Sequence, residues 1–283
     1  MDLRSANLAA PYRRILDTCE PFLITYPGNH SALDLAPFGL VLRRERLYTA
    51  TSLTSRNVVD GLHVLDAATF GDQEMLMPRW VLFDCGEFPG IVFGFGRRAE
   101  ELSPALRSRY RAEDDDSFVP LSMWVAIRCA EEGSWFGHNL SSVNVMATGD
   151  DALPGLATLT KAVGVKVARA TRQYGATQWT SSSIGLHLRL GDMQLLSAYT
   201  PAHTHPETLS YRMNVDEAVL TRSLLDGYRP SRAEGDRRLA ADDRDTLLAL
   251  QSELEAGDAW TLVRAESVAG SAQRLHLVRG SAT

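Results

Sequence analysis

An α+β fold, mainly antiparallel β with a barrel-like or sandwich core and a few peripheral helices, is predicted by three features of this 283-residue chain. Nine or more segments read as strands against four or so that read as helices. The two kinds do not alternate regularly, which argues against a doubly wound parallel sheet. The segments IGLHLRL (184–190) and MQLLSAY (193–199) are joined by Gly191 and Asp192 alone, the spacing of a tight hairpin. With 45% hydrophobic and 23% charged residues, the chain has an ordinary globular composition and enough length for one large domain over 1–283.

Taken in order, residues 5–19 suit a surface helix, with Pro11 early and Ile15 and Leu16 on one face. FLITY (22–26) is a predicted strand, followed by a Gly- and Pro-punctuated loop, and RLYTATSL (46–53) alternates as a second strand. NVVDGLHVL (57–65) suits one or two helical turns. RWVLF (79–83) and GIVFGF (90–95) read as two strands joined through CGEFPG, while 97–110 is charged and helix-compatible. The acidic run at 113–116 is a solvated turn. VPLSMWVAIRC (119–129) turns at EEG and returns through Trp135 and Phe136. Strands follow at 175–180, 184–190, 193–199 and 209–215. The C-terminal extension, 216–283, adds helices at 217–225 and 244–255 and a closing strand pair at 260–265 and 274–279.

A net charge of −6 and a pI near 5.7 exclude a nucleic-acid backbone as the main partner. Cys19, Cys85 and Cys129 are odd in number, widely spaced and without a CxxC pair, as expected of reduced thiols. The first residues lack the apolar core of a leader, and no apolar run approaches the roughly 20 residues that span a bilayer. The expectation is a cytoplasmic protein with a small-molecule substrate, no nucleic-acid or membrane partner, and self-association into a homo-oligomer left open.

Only two of the 29 cationic Lys and Arg side chains are lysines, Lys161 and Lys166, five residues apart in LPGLATLTKAVGVKV. Arginine serves wherever a solvated charge suffices, but only lysine can give up its proton or form an imine with a carbonyl. Lys161, flanked by Leu159, Ala162 and Val163, is therefore the candidate nucleophile, activated by burial. Lys166, in VKV, reads as an outward residue on a strand. His138 and Asn139 follow the aromatic pair Trp135 and Phe136 at a strand end; His138 is a candidate proton-transfer helper and Asn139 a substrate contact, with a hydrogen-bonded structural pair as the simpler alternative. Gln178 and Trp179, in ATQWTSS, are candidate substrate contacts, with core packing as the simpler alternative. His203, His205 and Glu207 form an HxHxE loop that would need His187 or His138 to complete a metal site. Its simpler reading is a polar loop without metal.

The strand pair at 79–95, the segment ending in Asn139-Leu140-Ser141, the run Lys161-Ala162-Val163-Gly164 and the strands at 175–199 together resemble the acetoacetate decarboxylase family over residues 46–215. That resemblance implies a lyase in which Lys161 attacks a small keto acid to form a Schiff base. It offers Arg46 as the contact to the substrate carboxylate and requires no cofactor. Ala162 stands where the family often has a second lysine, so desolvation alone would activate Lys161. Decarboxylation and aldol or dehydration chemistry both fit such a lysine. Two alternatives stand beside it: a catalytically silent binding protein of the same fold, and a histidine-based metal enzyme.

Overall fold

The computed structural model describes the chain except residues 1, 4–5, 33–34, 54–55, 116, 229–234, 268–271 and 281–283. Two compact units result: Met1–Ala130, Gly137–Arg169 and Leu224–Gly227 form unit 1, and Glu131–Phe136, Ala170–Ser223 and Tyr228–Thr283 form unit 2.

Unit 1 contains α1 (Ala10–Thr18), β1 (Glu20–Thr25), β2 (Leu47–Tyr48), α2 (Arg56–Phe70), α3 (Trp80–Glu87), β3 (Gly90–Arg98), α4 (Pro104–Tyr110), β4 (Phe118–Pro120) and β5 (Ser122–Arg128). It also holds most of β6 (Ser134–Ser142) and all of α5 (Leu156–Val167). Its strands run in the order β6-β5-β3-β1-β2, with β4 also on β3. β3 pairs antiparallel with both β1 and β5, placing Phe93 opposite Leu23 and Trp124. Phe22, Leu23, Ile24, Val92, Phe93 and Phe95 are fully covered, as expected of strands buried on both faces.

Helix α5 lies on this sheet. Leu156, Leu159 and Val163 are buried, each contributing roughly 1.5–3 kcal/mol. Thr160 Oγ1 meets Ser122 Oγ at 2.7 Å. Gly164 lets the helix approach Trp124, because a Cβ there would stand 2.4 Å from the indole.

Unit 2 contains β7 (Arg172–Gln178), α6 (Ser183–Leu190), β8 (Met193–Ser197), β9 (Thr208–Asn214), α7 (Glu217–Ser223), β10 (Arg237–Ala240), α8 (Arg244–Glu255), β11 (Ala259–Glu266) and β12 (Arg274–Gly280). Its strand order is β10-β12-β11-β8-β9-β7, and the pairings β7–β9, β8–β9, β8–β11, β11–β12 and β10–β12 are all antiparallel. Met193, Leu195, Tyr211, Met213 and Leu262 form the buried face. α8 begins at Asp243, whose carboxylate accepts from Thr246 N and Thr246 Oγ1.

The class is mixed α+β with mostly antiparallel pairing in an open strand order that ends at β10 and β2, so the expected barrel is not formed. Two expected strands are helices. RWVLF lies in α3, where Val81, Leu82 and Cys85 are buried while Trp80 and Phe83 face out. A short apolar run does not reveal its period, and here the helical one prevails. IGLHLRL is α6, with Ile184, His187 and Leu188 buried at i, i+3 and i+4. Gly191 and Asp192 therefore link a helix to β8, whose partners are β9 and β11, and the expected hairpin is absent. Lys166 lies in α5 rather than on a strand, with its amine 5.7 Å from the Phe38 ring centroid. No helix among the described residues is long and apolar enough to cross a membrane.

Candidate functional site

A buried polar cluster in unit 1 joins α2 to β6. Asp66 is 1% exposed on α2, and its Oδ2 accepts from Met77 N at 2.6 Å. Its Oδ1 accepts from Asn139 Nδ2 at 2.6 Å. Asn139 is buried on β6, and its Oδ1 meets Nδ1 of the exposed His138. Because the Asn139 amide nitrogen is committed to Asp66, its oxygen must accept, so His138 Nδ1 carries the proton and donates. Nε2 is then the basic nitrogen. A buried carboxylate thus fixes, through one amide, the tautomer of an exposed imidazole, the logic of an oriented general base.

Electrostatics agree with this wiring. Burial raises the Asp66 carboxyl above its ordinary range, and the Met77 and Asn139 donors oppose the rise. His63 follows the same face of α2 three residues before Asp66, with its Nε2 buried and without a hydrogen bond. Burial, then the Arg79 charge, lowers its pKa and favours the neutral ring. Beside Met77, Leu76, Trp80 and Phe83 are at least half exposed. An apolar surface thus adjoins the segment whose backbone binds Asp66.

The remaining expected site residues have other surroundings. Arg46 donates from Nε to Glu20 Oε2 at 3.1 Å and lies 4.1 Å from the Phe118 ring centroid. Lys161 is 1% exposed inside α5, and burial lowers its amine to about 7. In unit 2, Gln178 ends β7, and the fully buried Trp179 donates from Nε1 to Ala198 O at 2.6 Å. His203 Nδ1 accepts from His205 N at 3.0 Å, and among the described residues no three His, Cys, Asp or Glu side chains group so as to hold a metal ion. His203, His205 and Glu207 thus do not form the metal-holding group that the histidine-based reading needs among the described residues.

Asp66 and His63 were missed by sequence reading. The available signal was HVLD, a His and an Asp three apart in an otherwise apolar helical segment. The backbone N–H groups that open α5 are the place where an anionic group could be held, since Gly155 supplies no side-chain cap. However, the Tyr12 ring packs on Gly155, and Asp150 and Asp151 precede it, so no anion is assigned there.

No protein-family model and no curated protein matches the chain. Among solved structures, aminoglycoside 6'-acetyltransferase type Ii resembles it with a TM-score of 0.38 and 12% identity, covering 58% of this chain and 93% of that one. An acetyltransferase of the GNAT family from Desulfovibrio desulfuricans gives 0.34 and 12%, covering 56% and 93%. An IAA acetyltransferase from Bacillus cereus gives 0.30 and 9%, covering 45% and 79%. Likeness this slight does not speak for activity. The acetoacetate decarboxylase resemblance is nonetheless overturned by the fold: two of its strands are helices, and its lysine lies within a packed helix on an open sheet. The imine-forming lyase acting on a keto acid, and the silent binder of that same fold, fall with it.

Proposed function

We propose that unit 1 carries the acid–base site of a group-transfer enzyme acting on a small molecule, with His138 as the base. The observation that supports this reading is the hydrogen-bonded line from Met77 N–H through Asp66 and Asn139 to His138. Acetyl transfer has the matching requirement: an amine or hydroxyl must lose a proton as it attacks the acyl carbon. His138 Nε2 takes that proton as the new bond forms and returns it to the departing group. Asn139 and Asp66 are positioning residues that place the neutral ring's proton on Nδ1 and so leave the Nε2 lone pair for the incoming proton. Leu76, Trp80 and Phe83 offer a surface for an apolar part of the substrate.

The test is acetyl transfer from a small acetyl thioester to a panel of amines and alcohols. Turnover should fall by about 10²–10⁴-fold in His138→Gln, chiefly in kcat. Asn139→Ala should fall less and shift the pH profile. Unchanged turnover in His138→Gln, or none from the native protein with any acceptor, would contradict the proposal.

A further inference from the structure

Unit 2 contains a second site, unrelated to the acid–base line. β11, β8 and β9 place Thr261, Gln194 and Arg212 directly opposite one another across three strands. All three are half-buried on one face of the sheet. They form the floor of a cleft of about 320 Å³, walled by the 190–192 link on one side and by 214–219 on the other. That volume lies at the small end for ligand pockets, suited to a molecule of amino-acid size.

Two of the three charges in the cleft, Arg212 and Asp216, are held by hydrogen bonds, and Asp192 and Asp216 are exposed. Arg212 donates from both Nε and Nη2 to Gln194 Oε1, which holds the guanidinium flat across the floor. Asp216 uses Oδ1 to accept from Ala218 N at 2.7 Å at the start of α7, with Oδ2 left over. Asp192 lies on the wall, and burial raises its carboxyl above the ordinary range, as for a carboxylate without a compensating cation. Two carboxylates, one on each wall, and one guanidinium on the floor leave the cleft net negative.

We propose that this cleft binds a small cationic amino acid, its carboxylate on Arg212 and its ammonium groups on Asp192 and Asp216. Charge sign, charge placement and volume all follow from residues in the cleft. A neutral side chain would leave one carboxylate unpaired, so the site discriminates by charge.

Calorimetric titration of the full chain with L-lysine tests the proposal, with L-norleucine, which has the same carbon chain but no side-chain ammonium, as the control. L-lysine should bind saturably and more tightly than L-norleucine. Asp192→Asn and Arg212→Gln should each weaken L-lysine by roughly tenfold or more, the effect of one charged hydrogen bond. Asp192 lies in a link between elements, so its variant remains informative if Arg212→Gln does not fold. Absence of saturable L-lysine binding, equal binding of L-norleucine, or unchanged affinity in Asp192→Asn would overturn the proposal.

Discussion

Asp66 and Lys161 are both ionisable, both about 1% exposed and both in unit 1, yet their surroundings assign them opposite roles. Asp66 has a backbone donor on one oxygen and an amide on the other, and that amide continues to an exposed imidazole. Burial there orients a group that solvent and substrate can reach. Lys161 lies between the buried Leu159 and Val163 in a helix packed on the sheet, and burial itself is the cause of its lowered pKa. Burial perturbs any titratable group; at Asp66 the hydrogen bonds also carry its influence to an exposed ring.

The comparison is broken most severely at His138. His138→Gln should cost about 10²–10⁴-fold in turnover with the fold intact, as read by steady-state kinetics and circular dichroism. Lys161→Met should leave turnover in place and change stability instead. The unfolded amine holds its proton up to its ordinary value of 10.5, whereas the folded amine releases it near 7. Between those values the unfolded chain binds more protons, so native stability rises with pH, by up to about 1.4 kcal/mol per pH unit. Below pH 7 both states are protonated and this dependence vanishes. Denaturant melts from pH 6 to 10 should show the rise in the native protein and lose it in Lys161→Met.

Smaller effects sharpen the contrast. Asp66→Ala strands the Met77 N–H and the Asn139 amide, and should lower unfolding free energy by about 2–3 kcal/mol in addition to its effect on turnover. Trp179→Phe removes the bond to Ala198 O and part of a fully buried ring, and should cost about 2–3 kcal/mol with turnover unchanged. At the low end, Asp243→Ala removes the cap of α8 and should cost about 1 kcal/mol, measurable as a lowered Tm.

What the sequence revealed followed from how local each signal is. β1, β3, β7, β9, α8 and the β11–β12 pair lie where their composition and turn residues place them. α3 and α6 do not, because their apolar residues satisfy both periods and only the packed face decides between them. Gly86 shows that decision: a Cβ there would meet the backbone of Ala50 at 2.5 Å, a contact no local pattern encodes. Half of the site was legible as His138 and Asn139, adjacent residues beside aromatic ones. Asp66 was not, since it joins them across 73 positions of chain. Lys161 drew attention through its rarity, and the burial and lowered pKa expected of it are present; rarity does not tell whether the enclosed amine meets a substrate.

The tautomer of His138 tests the central claim most directly, and its measurement requires no substrate. Nitrogen-15 NMR of labelled imidazole distinguishes a protonated Nδ1 from a protonated Nε2. The wiring through Asn139 and Asp66 predicts a neutral ring protonated at Nδ1, changing to predominantly Nε2–H in Asn139→Ala. A native ring protonated at Nε2, or one that does not respond to Asn139→Ala, would contradict the assignment of His138 as an oriented base.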